Sequence, residues 1–463
     1  MEQFNKVMET INEAVWGTPL IILLLLVGAV FTLRLRCIQV VQLPKAFRFM
    51  LEKENGGKGE VSSFAALCTA LSATIGTGNI VGVATAITAG GPGALFWMWV
   101  AAFFGMATKY AEGFLAIKYR TIDESGHVLG GPFYYIEHGL GSKFRWLAKA
   151  FAIFGAGAGL FGIGTIAQIN GISDAVQSLF DPNNQSMVSI FGTNYSWATV
   201  LSAIIVTILV ALVVIGGIKR IGRVSEIIVP FMAIFYIVSC LIVLIMNGKG
   251  IPLALEQIFK GAFTGTAAVG GFAGALVKDA IQKGVSRGVF SNEAGLGSAP
   301  IASAAATTKS PVRQGLVSMT GTFIDTIVIC TMTGLAIITT NSWCMGVQGV
   351  NVTSAAFQSG FFFAPQLGQI VLSISLIFFA FTTILGWNYY GERCLEYLTG
   401  GSQRAVLLYR WIYILAVLIG PFMTIEAVFN IADILNGLMA IPNLVALFLL
   451  SGVVSRETKQ YFR

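Results

Sequence analysis

The chain runs to 463 residues, 55% of them hydrophobic and only 11% charged, with a mean hydropathy of +0.77. A soluble globular protein carries about 25% charged residues, so most of this surface faces something apolar. A string of soluble domains gives way to one membrane domain, and the net charge of +7 needs explaining by its placement before nucleic acid is invoked.

The first fifteen residues hold Glu2, Glu9 and Glu13 against Lys6, the wrong charge for a signal-peptide start. Eleven apolar spans of the length a bilayer requires follow, at roughly 18–38, 62–88, 93–117, 146–172, 196–216, 226–247, 262–282, 314–340, 364–390, 405–424 and 429–452. Sorting Lys and Arg by alternate loops puts 25 of the 29 in or beside the loops of one side. Lys6, Lys249 and Lys260 fall on the other side and Lys109 lies within a span, while loops 173–195 and 341–363 contain neither residue type. The positive-inside rule then predicts a multi-pass cell-membrane protein with its N-terminus outside and its C-terminus cytoplasmic. The basicity is topology, and no nucleic-acid partner is expected. Six cysteines are scattered without paired spacing, and His127 and His138 share one polar stretch, which reads as ordinary loop sequence.

Spans two to six and seven to eleven overlay at an offset of about 200 residues, in layout rather than letter by letter. Each half opens with a span interrupted by small residues, Ala73-Thr74-Ile75-Gly76-Thr77-Gly78-Asn79 in one and Ala268-Val269-Gly270-Gly271-Phe272-Ala273-Gly274 in the other. Both halves place a polar segment with helical character after their second span, at 130–142 and 350–360. Five spans is an odd number, so the halves cross the membrane in opposite directions. The expected fold is an all-α membrane protein of eleven transmembrane helices: one N-terminal span plus a 5+5 inverted repeat with two broken helices. It forms a single transport domain over 1–463, with the extra span and its cytoplasmic loop at 18–61, the first repeat at 62–247 and the second at 262–452. Glycines also permit close helix packing; that reading is preferred for Gly155, Gly157, Gly159, Gly162 and Gly164 in span four, and a transporter site for the two interruptions.

A broken helix frees N–H groups on one half and C=O groups on the other, which is tolerable only inside protein or at a wet cavity. The N–H end attracts an anion and the C=O end a cation, together a receptor for a zwitterion. Segments 62–88, 262–277 and 364–390 contain no charged side chain, which favours a small neutral zwitterion over a strongly charged ligand. Thr382 and Thr383 either bond back to their own helix or, with freed carbonyls of Ser72 and Ile75, ligate sodium. Gln168 is a substrate contact or an interhelical hydrogen bond. Asp325 is an intramembrane acid, a coupling residue by default or a structural group bonded to nearby hydroxyls. Lys109 and Glu112 share one helical face, as a structural pair or a gate; Trp387 and Asn388 line a pocket floor or anchor the membrane interface.

The stretch Gly90-Gly91-Pro92-Gly93-Ala94-Leu95-Phe96-Trp97-Met98-Trp99, continuing to Gly105, resembles the signature of the alanine or glycine:cation symporter family. So does Gly288-Val289-Phe290-Ser291-Asn292-Glu293-Ala294-Gly295-Leu296-Gly297-Ser298-Ala299-Pro300. The resemblance extends over roughly 15–455. It implies a leucine-transporter-type fold of the amino acid–polyamine–organocation superfamily and sodium-coupled, in some members proton-coupled, uptake of alanine or glycine. It places Thr77 and Gly78 at the substrate carboxylate, with Asn79 beside them as the one residue clearly suited to a second sodium bound partly through that carboxylate, and Gly270, Gly271 and Phe272 at the ammonium and side-chain space. Thr382, Thr383, Ser72 and Ile75 fall at the sodium ion, which is the transported partner; no cofactor is expected, and a monomer is favoured. An enzyme reading lacks support: Gly76-x-Gly78-x-x-x-Gly82 misses the dinucleotide spacing by one residue and follows no strand. A channel shares the hydropathy but has no use for two broken helices around a neutral pocket.

Overall fold

The computed structural model describes residues 2–463 apart from 53, 55, 125, 163, 191, 265–272 and 424. It is built almost wholly of helices. At the start, α1 (Glu2–Val15) leads into α2 (Thr18–Arg34), followed by the short α3 (Ile38–Val41) and α4 (Leu43–Leu51). A span broken in the middle comes next, α5 (Ser63–Thr74), a π-turn over Gly78–Gly82 and α6 (Val83–Gly90), and then α7 (Gly93–Lys118). A small hairpin of β1 (Thr121–Ile122) and β2 (Val128–Leu129) precedes α8 (Pro132–Leu140), α9 (Arg145–Phe161) and α10 (Ile166–Phe180). A second antiparallel hairpin, β3 (Met187–Ile190) and β4 (Thr193–Ser196), leads to α11 (Trp197–Val214) and α12 (Gly217–Met246). The second half holds α13 (Ile251–Thr264), α14 (Ala273–Asn292), α15 (Ala299–Ala304), α16 (Pro311–Thr322), a π-turn over Phe323–Cys330 and α17 (Thr331–Thr339). It closes with α18 (Val350–Gly360), α19 (Pro365–Leu398), α20 (Gln403–Ile419) and α21 (Ile425–Tyr461).

Serine caps set where several spans begin. Ser62 Oγ accepts from the Ala65 N–H at 3.0 Å at the head of α5, Ser310 from Arg313 at 3.3 Å at α16, and Ser402 from Ala405 at 3.4 Å at α20. Each supplies an acceptor for an N–H that the first turn of a helix leaves orphaned. Among the described residues nine helical segments are long and apolar enough to cross a membrane, ten when α5 and the segment Gly78–Gly90, bent by 53°, count as one broken span. The further span expected at 262–282 runs through 265–272, so Gly270, Gly271 and Phe272 lie outside the described residues. The polar segments expected to be helical are α8 and α18.

The centre of the bundle is α7, packed against α14 and α16, while α19 packs on α5, α9, α10 and α12. At the periphery, α11 and α12 turn Ile208, Leu212, Ile227 and Ile245 outward, the last 75% exposed. Outward isoleucine and leucine in continuous stripes need an apolar solvent, which identifies the outer surface as lipid-facing and the chain as a multi-pass membrane protein.

Candidate functional site

The break in the first interrupted span is held by side chains. Ile75 turns extended after α5, and the Gly76 N–H, which in a continuing helix bonds to the Ser72 carbonyl, donates instead to Asn79 Oδ1 at 2.9 Å. The Thr77 N–H faces Gln168 Oε1 of α10 at 3.4 Å. Ser72 Oγ turns back to the Thr69 carbonyl at 2.7 Å, so what Ser72 offers the break is its main chain. A cavity of about 440 Å³ ends on Thr77; α10 supplies Asn170 and Asp174 to its wall, and α18 supplies Val350, Asn351 and Ser354. It lies beside the two loops that carry no Lys or Arg.

Thr382 and Thr383 are buried but not equivalent. Thr383 Oγ1 bonds its own helix at Phe379 O, 2.9 Å, and reaches across to the Ile75 carbonyl at 3.3 Å. Thr382 Oγ1 points away, to Phe378 O and Phe379 O, both 3.1 Å, and to Met232 Sδ of α12. Both hydroxyls therefore make the back-bond, and Thr383 alone of the two also meets the break.

Asp325 sits in the second π-turn, fully buried, with three donors. Asn79 Nδ2 donates to Oδ1 at 2.7 Å, while Ser291 Oγ and Thr326 Oγ1 donate to Oδ2 at 2.9 and 2.8 Å. The acid thus ties the end of α14 to the break through Asn79, whose other end holds the Gly76 N–H. Sequence reasoning singled out Asp325 and Asn79 separately; nothing in the spacing joins them, and Ser291 and Thr326 were missed.

Trp387 and Asn388 are fully buried, which rules out an interfacial anchor. Trp387 lies one turn beyond Thr383, edge-on to Tyr390, and so close to Gly164 that a Cβ there would collide with the Trp387 Cβ. The glycines of span four do pack closely, but the helix is also interrupted between α9 and α10. The freed carbonyls there are met by Thr165 Oγ1, on Leu160 O at 2.6 Å, and by Tyr413 OH, on Gly164 O at 2.7 Å. Lys109 and Glu112 are buried too, yet no ion pair joins them among the described residues. Glu112 Oε1 instead accepts from Asn443 Nδ2 at 2.8 Å and from the Gly297 N–H at 3.1 Å.

At the Lys- and Arg-rich end, the segment leading into α5 is fastened on both sides. Arg120 donates to the carbonyls of Ala304, Ala306, Lys58 and Thr308. On the hairpin, His127 Nδ1 contacts Glu60 Oε1 at 3.1 Å and Nε2 contacts Glu396 Oε1 of α19 at 3.0 Å, with Arg393 Nη1 2.6 Å from the same nitrogen. Hydrogen bonds to Glu396 and then Glu60 raise the His127 pKa to about 9, against burial and the Arg393 charge. Burial works to raise the Glu60 carboxyl, but His127, the Val128 N–H and Arg393 outweigh it and leave the pKa below its ordinary value. Nothing local distinguishes His127 from a loop histidine in the sequence, because its partners come from two other segments.

A helix broken inside a lipid-facing bundle, with a hydroxyl of a distant helix on the break and a cavity leading to it, defines a secondary transporter of the broken-helix class. The chain belongs to the sodium:alanine symporter family, whose model matches residues 1–463; this is a family of transporters, not enzymes. The chain is 53% identical over 460 residues to an uncharacterized transporter of Haemophilus influenzae, covering 99% of this chain and 96% of that one. It is 49% identical over 469 residues to the sodium/alanine symporter AgcS of Methanococcus maripaludis, covering 99% and 97%. The amino-acid carrier protein AlsT of Bacillus subtilis is 37% identical over 460 residues, covering 99% and 92%. Among solved structures, that of MhsT in complex with L-phenylalanine superposes with a TM-score of 0.58 at 13% identity, over 88% of this chain and 99% of that one. That likeness is one of fold alone, and it is a leucine-transporter-like fold.

Proposed function

We propose that the chain is a secondary active symporter that imports alanine or glycine, coupled to an inward sodium gradient, by alternating access. The observation that carries the reading is the meeting of Thr383 Oγ1 with the Ile75 carbonyl at 3.3 Å, where α5 is broken. A hydroxyl and main-chain carbonyls released from a helix are hard, neutral oxygen donors suited to a small hard cation. In this reading the substrate carboxylate lies against Thr77 and Gly78 at the end of the cavity, in exchange with the Gln168 amide oxygen. Gly270, Gly271 and Phe272 receive the ammonium and the small side chain, and Trp387 backs the pocket rather than lining it. Sodium sits at Ile75, Ser72 and Thr383, with Thr382 reaching it only after a rotamer change.

The same reading gives eleven spans, with 18–61 added before an inverted pair at 62–247 and 262–452. It is supported by the matching places of α8 and α18 and by the offset of the two interruptions. The Lys- and Arg-rich end is then cytoplasmic and the 440 Å³ cavity is the outer vestibule. Proteoliposomes holding the purified chain should accumulate labelled alanine or glycine only under an inward sodium gradient. Accumulation that follows a proton gradient and ignores sodium would overturn the coupling and favour a proton-coupled permease.

Alternating access requires the inner end of α5 to part from its fastening, and His127 makes that fastening pH-dependent. The groups facing it are Glu60, Glu396 and Arg393, with Asp123 accepting from the His127 main chain. Because the folded pKa stands above the ordinary 6.5, the stabilisation is whole below about 6.5 and is lost as pH climbs through about 9. Thermal unfolding of the wild type should therefore weaken between these values, whereas His127→Gln should show a shallower decline. Identical pH profiles for the two proteins would remove His127 from the fastening.

A further inference from the structure

At the Lys- and Arg-rich end, α2 stops abruptly. Arg36 and Cys37 both take φ of 56°, a left-handed turn that non-glycine residues rarely adopt, and the chain reverses into α3 and α4. Between this turn and the end of α21 lies a cavity of about 310 Å³, whose wall includes Arg34, Arg36, Gln42, Thr458, Lys459 and Arg463. Among the described residues no Asp or Glu lines it.

The other charged and polar groups nearby are engaged elsewhere. Glu457, the acid of this part of α21, is paired with Lys118 at 2.6 Å. Lys45 lies over the Phe49, Tyr461 and Phe462 rings, and Thr458 Oγ1 is shared between Tyr110 OH and the Val454 carbonyl. Arg34 is held in place by α21, donating to Ser451 Oγ at 2.9 Å while its carbonyl accepts from Ser455 Oγ. Four cationic side chains therefore border one hollow with no acidic side chain of the described residues in its wall, and an entering anion would relieve their mutual repulsion.

The rim is apolar where it meets the lipid-facing surface. Leu33 is 76% exposed, Val40 57% and Val41 64%, on the residues that immediately flank Arg34 and follow Arg36. A soluble anion would satisfy the cations and leave these side chains bare. A molecule with an anionic phosphodiester and hydrocarbon chains satisfies both, and basic pockets at the ends of membrane helices bind such headgroups.

We propose that this hollow is a headgroup site for an anionic phospholipid, its phosphate oxygens accepting from Arg34, Arg36 and Lys459 and its chains lying on Leu33, Val40 and Val41. The site shares no lining residue with the cavity at the break and ties the added N-terminal helix to the end of α21 through a shared ligand.

The test is native mass spectrometry of the full chain released from detergent with phosphatidylglycerol, phosphatidylcholine or inorganic phosphate as probe. Phosphatidylglycerol should be retained at least tenfold more than phosphatidylcholine, with inorganic phosphate failing to compete at equal concentration. Arg36→Gln with Lys459→Gln, both at exposed positions and checked for an unchanged fold by thermal unfolding, should bring phosphatidylglycerol down to the phosphatidylcholine level. Lys219→Gln with Arg223→Gln removes the same charge from another basic cluster and should leave retention unchanged. Equal retention of the two lipids, or equal loss from both double variants, would overturn the site. Competition by phosphate together with no effect of Val40→Ser and Val41→Ser would assign the hollow to a soluble anion instead.

Discussion

Gly76→Ala is expected to raise the sodium concentration needed for half-maximal alanine uptake at least tenfold, about 1.4 kcal/mol of ion binding. A Cβ at Gly76 lands 2.5 Å from Thr383 Oγ1, nearly an ångström inside ordinary contact. The hydroxyl has little room to yield, since it is engaged by Phe379 O and Ile75 O and β-branched Thr has few helix rotamers. Nor can the two helices simply part. At Gly386, one turn away on α19, a Cβ would meet the Ala73 Cβ at 2.7 Å and the Ala73 nitrogen at 2.8 Å, so the same pair of helices is in close contact at both points. The added methyl must drive the Ile75 carbonyl and the Thr383 hydroxyl apart, the pair proposed to hold sodium. Gly82→Ala is the internal control, because among the described residues nothing lies within 4 Å of a Cβ there and uptake should be unchanged. Thr383→Ala should reproduce the Gly76→Ala defect, while Thr382→Ala, whose hydroxyl faces Met232, should cost less. Sodium-dependent thermal shifts separate ion binding from turnover. An unaltered sodium dependence in Gly76→Ala would move the ion site away from this contact.

The first break was legible because its cause is local: Gly76 and Gly78 within an uncharged apolar run have no better use than an interruption. What holds the break was not, because each partner comes from a distant stretch. Gln168 reaches Thr77 from α10, and Asp325 reaches Asn79 from the second π-turn, and no periodicity encodes either meeting. Span four shows a different limit. Gly159 and Gly164 do allow close approach to α19, as the sequence reading expected, yet the helix is also interrupted there. A missing Cβ serves close packing and chain reversal equally well, so glycine density alone does not separate them; Thr165, placed to take up freed carbonyls, was the added signal. Thr382 and Thr383 illustrate the same point at finer grain. Adjacent residues on a helix point about 100° apart, so only one of the pair can face a given neighbour squarely, and the sequence does not say which. The second interruption, at Gly270, Gly271 and Phe272, lies outside the described residues and rests on layout and resemblance.

Asp325 is where the sequence left two readings open, and its geometry yields the other large expected effect. Three donors converge on the carboxylate. Removing it takes from Thr326 its acceptor and leaves Ser291 the weak Cys330 sulfur and Asn79 that sulfur and the long Asp325 carbonyl contact, where a buried donor left unsatisfied costs about 1–3 kcal/mol. Asp325→Ala should therefore lower thermal stability markedly as well as transport. Asp325→Asn is the sharper probe because it keeps the volume. Its amide offers one acceptor oxygen and a new donor, so it cannot serve Asn79 on one side and both hydroxyls on the other. If Asn79 loses its anchor, the Gly76 N–H loses a positioned acceptor, and the break relaxes although nothing at the sodium contact has been changed. Sodium-driven uptake in Asp325→Asn should fall at least 100-fold. Asn79→Ala should fall as far, and the double variant little further, since both act through one chain of hydrogen bonds. Additive losses would show that the acid works independently of Asn79. If instead Asp325→Asn kept its sodium-driven uptake and lost only a response to external pH, the group would be a proton carrier and its tie to the break incidental.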